Sequence, residues 1–392
     1  MTRPPPIRTK NSATMKTILG QPSWRLATPR VEAYVTRIGG HLGPVTFDRG
    51  GRKITPFSVA PWAQEPIDPA TPAILKVLRG DFFCMPFGGN DLPWRGETHP
   101  PHGETANSKW SFVSGGRNRA GAELHLRLRP RVRPGQVDKH VTLGGDHDAV
   151  YQRHVISGMS GPMNLGHHAM LRFPDEPGSG VISSSPMEFG QVFPEPVERP
   201  ENRGYSILKP GATFDSITKV PTITGDMADL SRYPARRGFE DVVTLVSDVD
   251  QSTPFAWTAV TFPKERYAWF ALKDPRVLRE TVFWISNGGR HYAPWNGRHV
   301  NVMGLEEVTS YFHGGIAGSV GKNPFSARGI PTHLTLDSKR PLAVNYVMGV
   351  AMLPAGFDRV EAIEAEAGSI VLCSDKGRKH VRMPVDAGFL RL

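Results

Sequence analysis

The sequence predicts one large all-β sandwich. Three observations carry that expectation. Short apolar runs alternate with polar residues at period two along most of the chain. Turn residues punctuate them densely, with 41 Gly and 36 Pro in 392 residues. No internal repeat of solenoid or propeller length is visible. Side chains on a strand point alternately to opposite faces, so such runs bury one face and present the other. A chain of this length can bury a sizeable core as one β domain.

In chain order, residues 1–20 begin basic and Pro-rich, lack the apolar stretch of a secretory signal, and are expected to be a disordered extension. The sandwich is expected over 21–392. Val31, Ala33 and Val35, then Val45 and Phe47, mark two strands around the Gly39-Gly40 turn. Ile74 to Leu78 is expected as a further strand. Leu124, Leu126, Leu128 and Val132 alternate with His125, Arg127, Arg129, Arg131 and Arg133, a strand with one basic face. That face is either a solvated outer surface or a wall facing an anionic ligand. Pro130 places the strand at an edge or bulge. Residues 149–156 form another strand, and 174–240 are expected to hold long excursions with at most short helices. Alternation returns at 242–246, 255–262, 267–272 and 280–285, and again at 332–336, 343–352, 369–373 and 380–383. Only 356–366 carries a partly helical pattern.

Composition removes several function classes. At 39% hydrophobic and 21% charged the chain is globular. Cys84 and Cys373 make neither a disulfide framework nor a CxxC pair, which suits a reducing compartment, so the cytoplasm is expected. No apolar run is long enough to span a membrane, and no membrane partner is expected. The net charge of +10 is spread along the chain without zinc-finger spacing, RNP motif or basic helix, so no nucleic-acid partner is expected. P-loop, Rossmann and G-x-S-x-G signatures are absent from the sequence.

Chemistry-bearing residues gather in three places. His99, His102 and Glu104 have ligand types at a spacing a divalent ion accepts, or are turn residues facing water. His167 and His168 precede an apolar strand, where neighbours face opposite sides, so one of the two can face a given pocket. The same rule applies to Glu306 and Glu307. Ahead of that pair, a turn at Asn287 and a loop carrying Trp295 offer a polar group and a flat aromatic face, as a sugar-sized ligand requires. An imidazole from mid-chain and a carboxyl from the last third make an acid/base pair near neutral pH.

Four motifs, in order, then resemble the galactose mutarotase-like superfamily. Arg79 to Gly88 (RGDFFCMPFG) is similar to the R-G-G-x-P-x-x-x-P-x-F-G stretch of hexose-6-phosphate mutarotases. Pro101-His102-Gly103 with Trp110 resembles their H-G-F-x-R-x-x-x-W motif. Asn164-Leu-Gly-His-His168 resembles N-L-T-N-H of galactose mutarotases. Gly304-Leu-Glu306, after a W-x-S-N-G-G and P-W stretch, resembles the L-E-P motif of aldose 1-epimerases. Departures are Asp81 for the second Gly, Glu307 for the Pro, and no arginine in the stretch after His102. The resemblance implies a single-domain antiparallel β-supersandwich with a sugar cleft. It implies His168 as general acid, Glu306 as general base on the opposite side of the sugar, and Arg79 and His102 as ligands of sugar hydroxyls. A substrate-binding acid falls at Glu240 or Asp241. The expected activity is anomer interconversion of a monosaccharide, including an acidic or phosphorylated one, with no cofactor and no metal. The alternatives are a non-catalytic carbohydrate-binding protein and a metal-dependent sugar isomerase using His99, His102 and Glu104.

Overall fold

The computed structural model describes residues 14–249, 254–374 and 377–391. Two antiparallel sheets carry the core. The nine-stranded sheet runs Arg232–Tyr233, Gly180–Ser184, Ala256–Phe262, Tyr267–Lys273, Leu342–Met352, Ala149–Ser157, Gln136–Gly144, Gly121–Leu128 and Ser111–Asn118. The other has eight strands, in the order Thr213–Phe214, Met187–Val192, Phe239–Ser247, Glu280–Asn287, Val302–Thr309, Leu165–His167 and Phe83–Cys84, with Ala169–Arg172 also paired to Val302–Thr309. A five-stranded sheet between Met15 and Ile54 and a three-stranded sheet between Val360 and Pro384 flank them.

The period-two runs between 242 and 285 form four of the central strands. Three expectations are corrected. Ile74 to Leu78 is not a strand: Ala73–Val77 is a short helix after Pro72, burying Ile74 and Val77 three residues apart. Asn107 Oδ1 accepts the Ile74 N–H at 3.0 Å, and Trp62 Nε1 donates to the Leu75 carbonyl at 2.7 Å. Residues 356–366 are not helical, because Val360–Glu366 pairs with Ser369–Ser374. A bulge between Val360 and Ala362 spaces the buried Val360 and Ile363 by three and so imitates a helix. Met15–Ile18 is a strand paired with Gln21–Ala27, not part of a disordered extension. The remainder of that expected extension, residues 1–13, lies outside the described residues.

Strict alternation sorts the paired residues. On Val302–Thr309, Met303 and Leu305 face the apolar core between the sheets, and Val302 and Val308 face a second apolar cluster on the outer side. Glu307 therefore points inward, where Lys273 Nζ lies 2.5 Å away and Thr258 and Thr281 each donate at 2.7 Å. Glu306 points outward. His167 likewise points inward, stacked on Tyr346 with ring centroids 4.2 Å apart, while His168 points out.

His167 Nδ1 lies 2.9 Å from Asp81 Oδ2, which also accepts Gln152 Nε2 at 2.6 Å. Lys139 Nζ donates to Gln152 Oε1 at 2.9 Å and stands 3.2 Å from His154 Nε2. Burial alone pushes the Asp81 carboxyl up, but His167, Lys139 and Gln152 outweigh it and hold it below its ordinary value. Removing one member of such a network leaves charge buried without a partner, at a cost of about 3–5 kcal/mol. Asp81→Ala is therefore expected to lower unfolding free energy by about that amount in chemical denaturation. A loss under about 1 kcal/mol would show that the network does not hold the two sheets together.

Candidate functional site

A cavity of about 540 Å³ opens on the outer face of the eight-stranded sheet, lined by three histidines, His102, His168 and His313, and by Phe82, Trp284, Trp295, Arg290, Tyr292 and Asp91 among others. Each imidazole arrives by a different local device. His168 follows strand Leu165–His167, and its N–H donates to the Phe82 carbonyl at 2.9 Å. Gly166 is opposite Val308 and Ala169 opposite Leu305. One register therefore continues through the break between these strands and sets His168 across from Glu306. That register explains why His168 Nε2 and Glu306 Oε1 lie 3.1 Å apart.

His102 has left-handed backbone, with φ +58°. It precedes Gly103, at φ +73°, where a Cβ would fall 1.9 Å from the Met85 carbonyl oxygen. Only glycine permits that approach, which turns the loop so that His102 faces the cavity. His313 follows the turn after Val302–Thr309, and its carbonyl accepts the Gly89 N–H at 2.8 Å. Asn90 ties the two loops, donating to the carbonyls of Pro86, Gly88 and Pro100 while accepting the Ile316 N–H at 3.1 Å.

The imidazoles converge. Ring centroids are 5.0 Å apart for His102–His168, 5.5 Å for His102–His313 and 6.4 Å for His168–His313. His168 also stacks on Phe82 at 4.5 Å. Glu306 is fully buried behind His168 and His313 rather than on the cavity surface. Its Oε2 lies 3.0 Å from His313 Nε2. Among the described residues its ion-pair partners are these two imidazoles, with no Lys or Arg. Burial pushes the Glu306 carboxyl well above its ordinary value. Burial also lowers His102, His168 and His313, helped at His168 by the two neighbouring imidazoles and at His313, which falls to about 3, by Arg290.

Other expected site residues are placed differently. Trp295 lines the cavity, edge-on to Trp62 at 4.9 Å and beneath the Arg290 guanidinium at 4.7 Å. Arg79 does not reach it: its side chain donates to the carbonyls of Val77, Ile18 and Leu19. Asn287 is spent on backbone, donating to Ala235 O at 2.9 Å and accepting Asn301 N–H at 3.0 Å. Asp241 accepts the N–H groups of Ile207 and Leu208, away from the cavity. The trio His99, His102 and Glu104 does not assemble. His99 Nε2 pairs with Glu97 at 2.9 Å, and Glu104 accepts the N–H groups of Arg131 and Val132. The basic face of Gly121–Leu128 stands apart from the cavity lining, with His125 and Arg127 paired to Asp138 at 2.5 and 2.8 Å. Arg133, beyond that strand, pairs with Glu97. Sequence reasoning missed His313, Arg290, Asp91 and Asn90. Trp284 lay in the W-x-S-N-G-G stretch, whereas His313 sits in a turn that no motif marks.

No protein-family model matches the chain, and no curated protein matches it. Solved structures do. A Klebsiella pneumoniae protein provisionally described as an aldose 1-epimerase superposes with TM-score 0.59 at 12% identity, covering 84% of this chain and 79% of that one. An Escherichia coli K12 protein with the same provisional description gives 0.56 at 13% identity, covering 84% and 99%. A Clostridium acetobutylicum galactose mutarotase-like protein gives 0.54 at 12% identity, covering 88% and 99%. At these identities the likeness shows the fold, a galactose mutarotase-like antiparallel β-sandwich.

Glu240 lies beneath the cavity floor. Its carboxylate accepts Trp284 Nε1 at 3.0 Å and Ser286 Oγ at 2.9 Å, with Arg290 4.0 Å away. Burial raises it to about 7, against the lowering pull of Arg290, Ser286 and Trp284. A raised carboxyl binds its proton more tightly folded than unfolded. Its stabilising contribution is therefore full below its unfolded pKa of about 4.3 and lost as pH rises towards 7. Measured by denaturation, Glu240→Gln is expected to gain on the parent protein across that window, by up to about 4 kcal/mol at roughly 1.4 kcal/mol per pH unit. A difference between the two proteins that stays flat from pH 4.5 to 7.5 would contradict this assignment.

Proposed function

We propose that the cavity binds a monosaccharide and interconverts its anomers by proton transfer through His168, Glu306 and His313. The observation that supports this most is the placement of one buried carboxylate between two imidazoles, at 3.1 and 3.0 Å, behind the cavity wall. The expected arrangement, with acid and base on opposite sides of the sugar, gives way to one in which they stand side by side. The reaction accommodates this, because the C1 hydroxyl and the ring oxygen O5 are both bonded to C1.

Ring opening removes the proton from the C1 hydroxyl and delivers one to O5 as the C1–O5 bond breaks. Glu306 takes the first proton through His313, which bridges it to the cavity, and His168 gives the second. C1 of the open aldehyde rotates, and the same transfers in reverse close the other anomer. Burial favours the proton on Glu306 and a neutral His168, so before ring opening that proton passes from Glu306 to His168, 3.1 Å away, and the cluster's net charge is the same before and after each step. Positioned proton transfer supplies about 10²- to 10⁴-fold, and orientation supplies more. Trp284 and Trp295 would offer the sugar apolar ring surface beside the face of Trp295 that Arg290 covers, and His102 and Asp91 would bind hydroxyls. A neutral sugar fits better than a phosphorylated one, since the arginine in the lining, Arg290, is already held by Glu198 at 2.6 Å.

Glu306→Gln is expected to lower anomer exchange, followed by polarimetry or NMR on a panel of neutral aldoses, by at least about 10²-fold. Sugar affinity, followed by thermal shift, should change little. Parent protein that binds a sugar but exchanges it no faster than the Gln variant would refute the catalytic claim and leave a carbohydrate-binding protein.

A further inference from the structure

We propose that His102, His168 and His313, with Glu306 as the carboxylate, form a binding site for a divalent transition-metal ion of the zinc class. This site is distinct from the His99–His102–Glu104 trio that the sequence suggested. It goes beyond the proton-transfer reading but uses the same side chains. An ion there takes the lone pairs and the carboxylate that proton transfer needs, so the loaded protein is blocked in anomer exchange.

Three observations carry the proposal. The three imidazoles bring one ligand nitrogen each within 4.8 Å of one another, from three separate segments of chain. Ligands sharing one ion at about 2.0–2.1 Å stand roughly 3.0–3.4 Å apart. Glu306 is not in that mutually close group, but it stands behind it, with Oε1 3.1 Å from His168 Nε2 and Oε2 3.0 Å from His313 Nε2. The longest gap between imidazole nitrogens must close by roughly 1.5 Å to match the spacing of shared ligands.

The polar atoms at the centre are also poorly satisfied. The His168–Glu306 contact is not aligned as a hydrogen bond, and Glu306 Oε1 has no hydrogen-bond partner in a fully buried residue. A buried carboxylate without a basic partner requires a cation or a proton.

The donor chemistry then narrows the ion. Three imidazoles and one carboxylate suit Zn²⁺, Co²⁺ or Fe²⁺ rather than Mg²⁺ or Ca²⁺, which favour all-oxygen sites. The cavity gives the ion a way in. Coordination by His102 Nε2 puts the ring proton on Nδ1 and displaces the Gly88 N–H contact there, which is long at 3.4 Å.

The test uses full-length protein stripped with a chelator and titrated with Zn²⁺ by calorimetry and with Co²⁺ by visible absorption. One saturable site per chain is expected, with Co²⁺ bands of four- or five-coordinate geometry. His313→Ala and, as an independent variant, His102→Ala should each weaken Zn²⁺ by roughly 100-fold or more, since even outer-shell partners cost about 10- to 100-fold. His140→Ala, which alters the stacked His125–His140 pair on the other sheet, should leave the affinity unchanged. No saturable binding, or binding that neither His313→Ala nor His102→Ala weakens, overturns the metal site. Anomer exchange is followed separately on stripped and Zn²⁺-loaded protein. Exchange that saturating Zn²⁺ does not slow overturns the blocking claim. Metal binding with no exchange in either form sustains the site and sinks the proton-transfer reading, and exchange without binding does the reverse.

Discussion

The Glu306 carboxylate is the constraint on which the outer face of the eight-stranded sheet depends. It is fully buried, and its ionisable neighbours among the described residues are imidazoles at 3.0 and 3.1 Å. A carboxylate in that position is stable when a proton or a cation neutralises it, and costly otherwise. The same desolvation that raises its affinity for a proton lowers that of His102, His168 and His313. The cluster therefore favours one proton on Glu306 and neutral imidazoles, with His168 and His313 close enough to pass that proton on. Perturbation by burial inside a cleft is what functional sites show, and structural ion pairs show it too. Here the cluster backs a cavity lined by Trp284 and Trp295, which is the ground for the functional proposal.

Register does the assembling. Glu306 and His168 come together because Leu165–His167 and Ala169–Arg172 share one alignment against Val302–Thr309. A slip by one residue would turn Glu307 and His167 outward and bury Glu306 against Lys273. The interior contacts of Glu307 and His167 oppose that slip, since each is held by groups on the facing sheet, Lys273 and Thr258 for the glutamate and Tyr346 for the histidine. The inward members of the two pairs thus fix the alignment that the outward members use.

This explains what was legible in the sequence. The one-face rule required that only one residue of each pair, His167/His168 and Glu306/Glu307, face a cavity, and alternation delivers that. The strand runs were legible for the same reason, since a half-buried strand writes its period into the residues. Ile74–Leu78 and 356–366 were misread where local geometry breaks that period, by a Pro-initiated helical turn and by a bulge. Arg79, Asp241 and Asn287 are of the right type for a ligand site, yet their side chains go to backbone groups, and sequence does not say which polar atoms the fold itself will consume. His313 was invisible because a turn residue carries no periodicity, and its place is set by Gly88, Gly89 and Asn90 more than two hundred positions earlier.

The interior clusters differ from the outer one in how their carboxylates are neutralised. Asp81 is satisfied by His167 and Gln152 with Lys139 behind them, and Glu307 by Lys273 and two threonines. Each of those carboxylates has a lysine nearby and stands between the sheets, apart from the cavity lining. Glu198 is matched similarly by Arg290, which removes the guanidinium from competition for a ligand. Glu306 alone among these four has imidazoles with no Lys or Arg beside them, at the wall of an opening large enough for a small ligand. Lysine or arginine beside it would make one more structural ion pair. Imidazole leaves its charge adjustable, which proton transfer and metal binding both require.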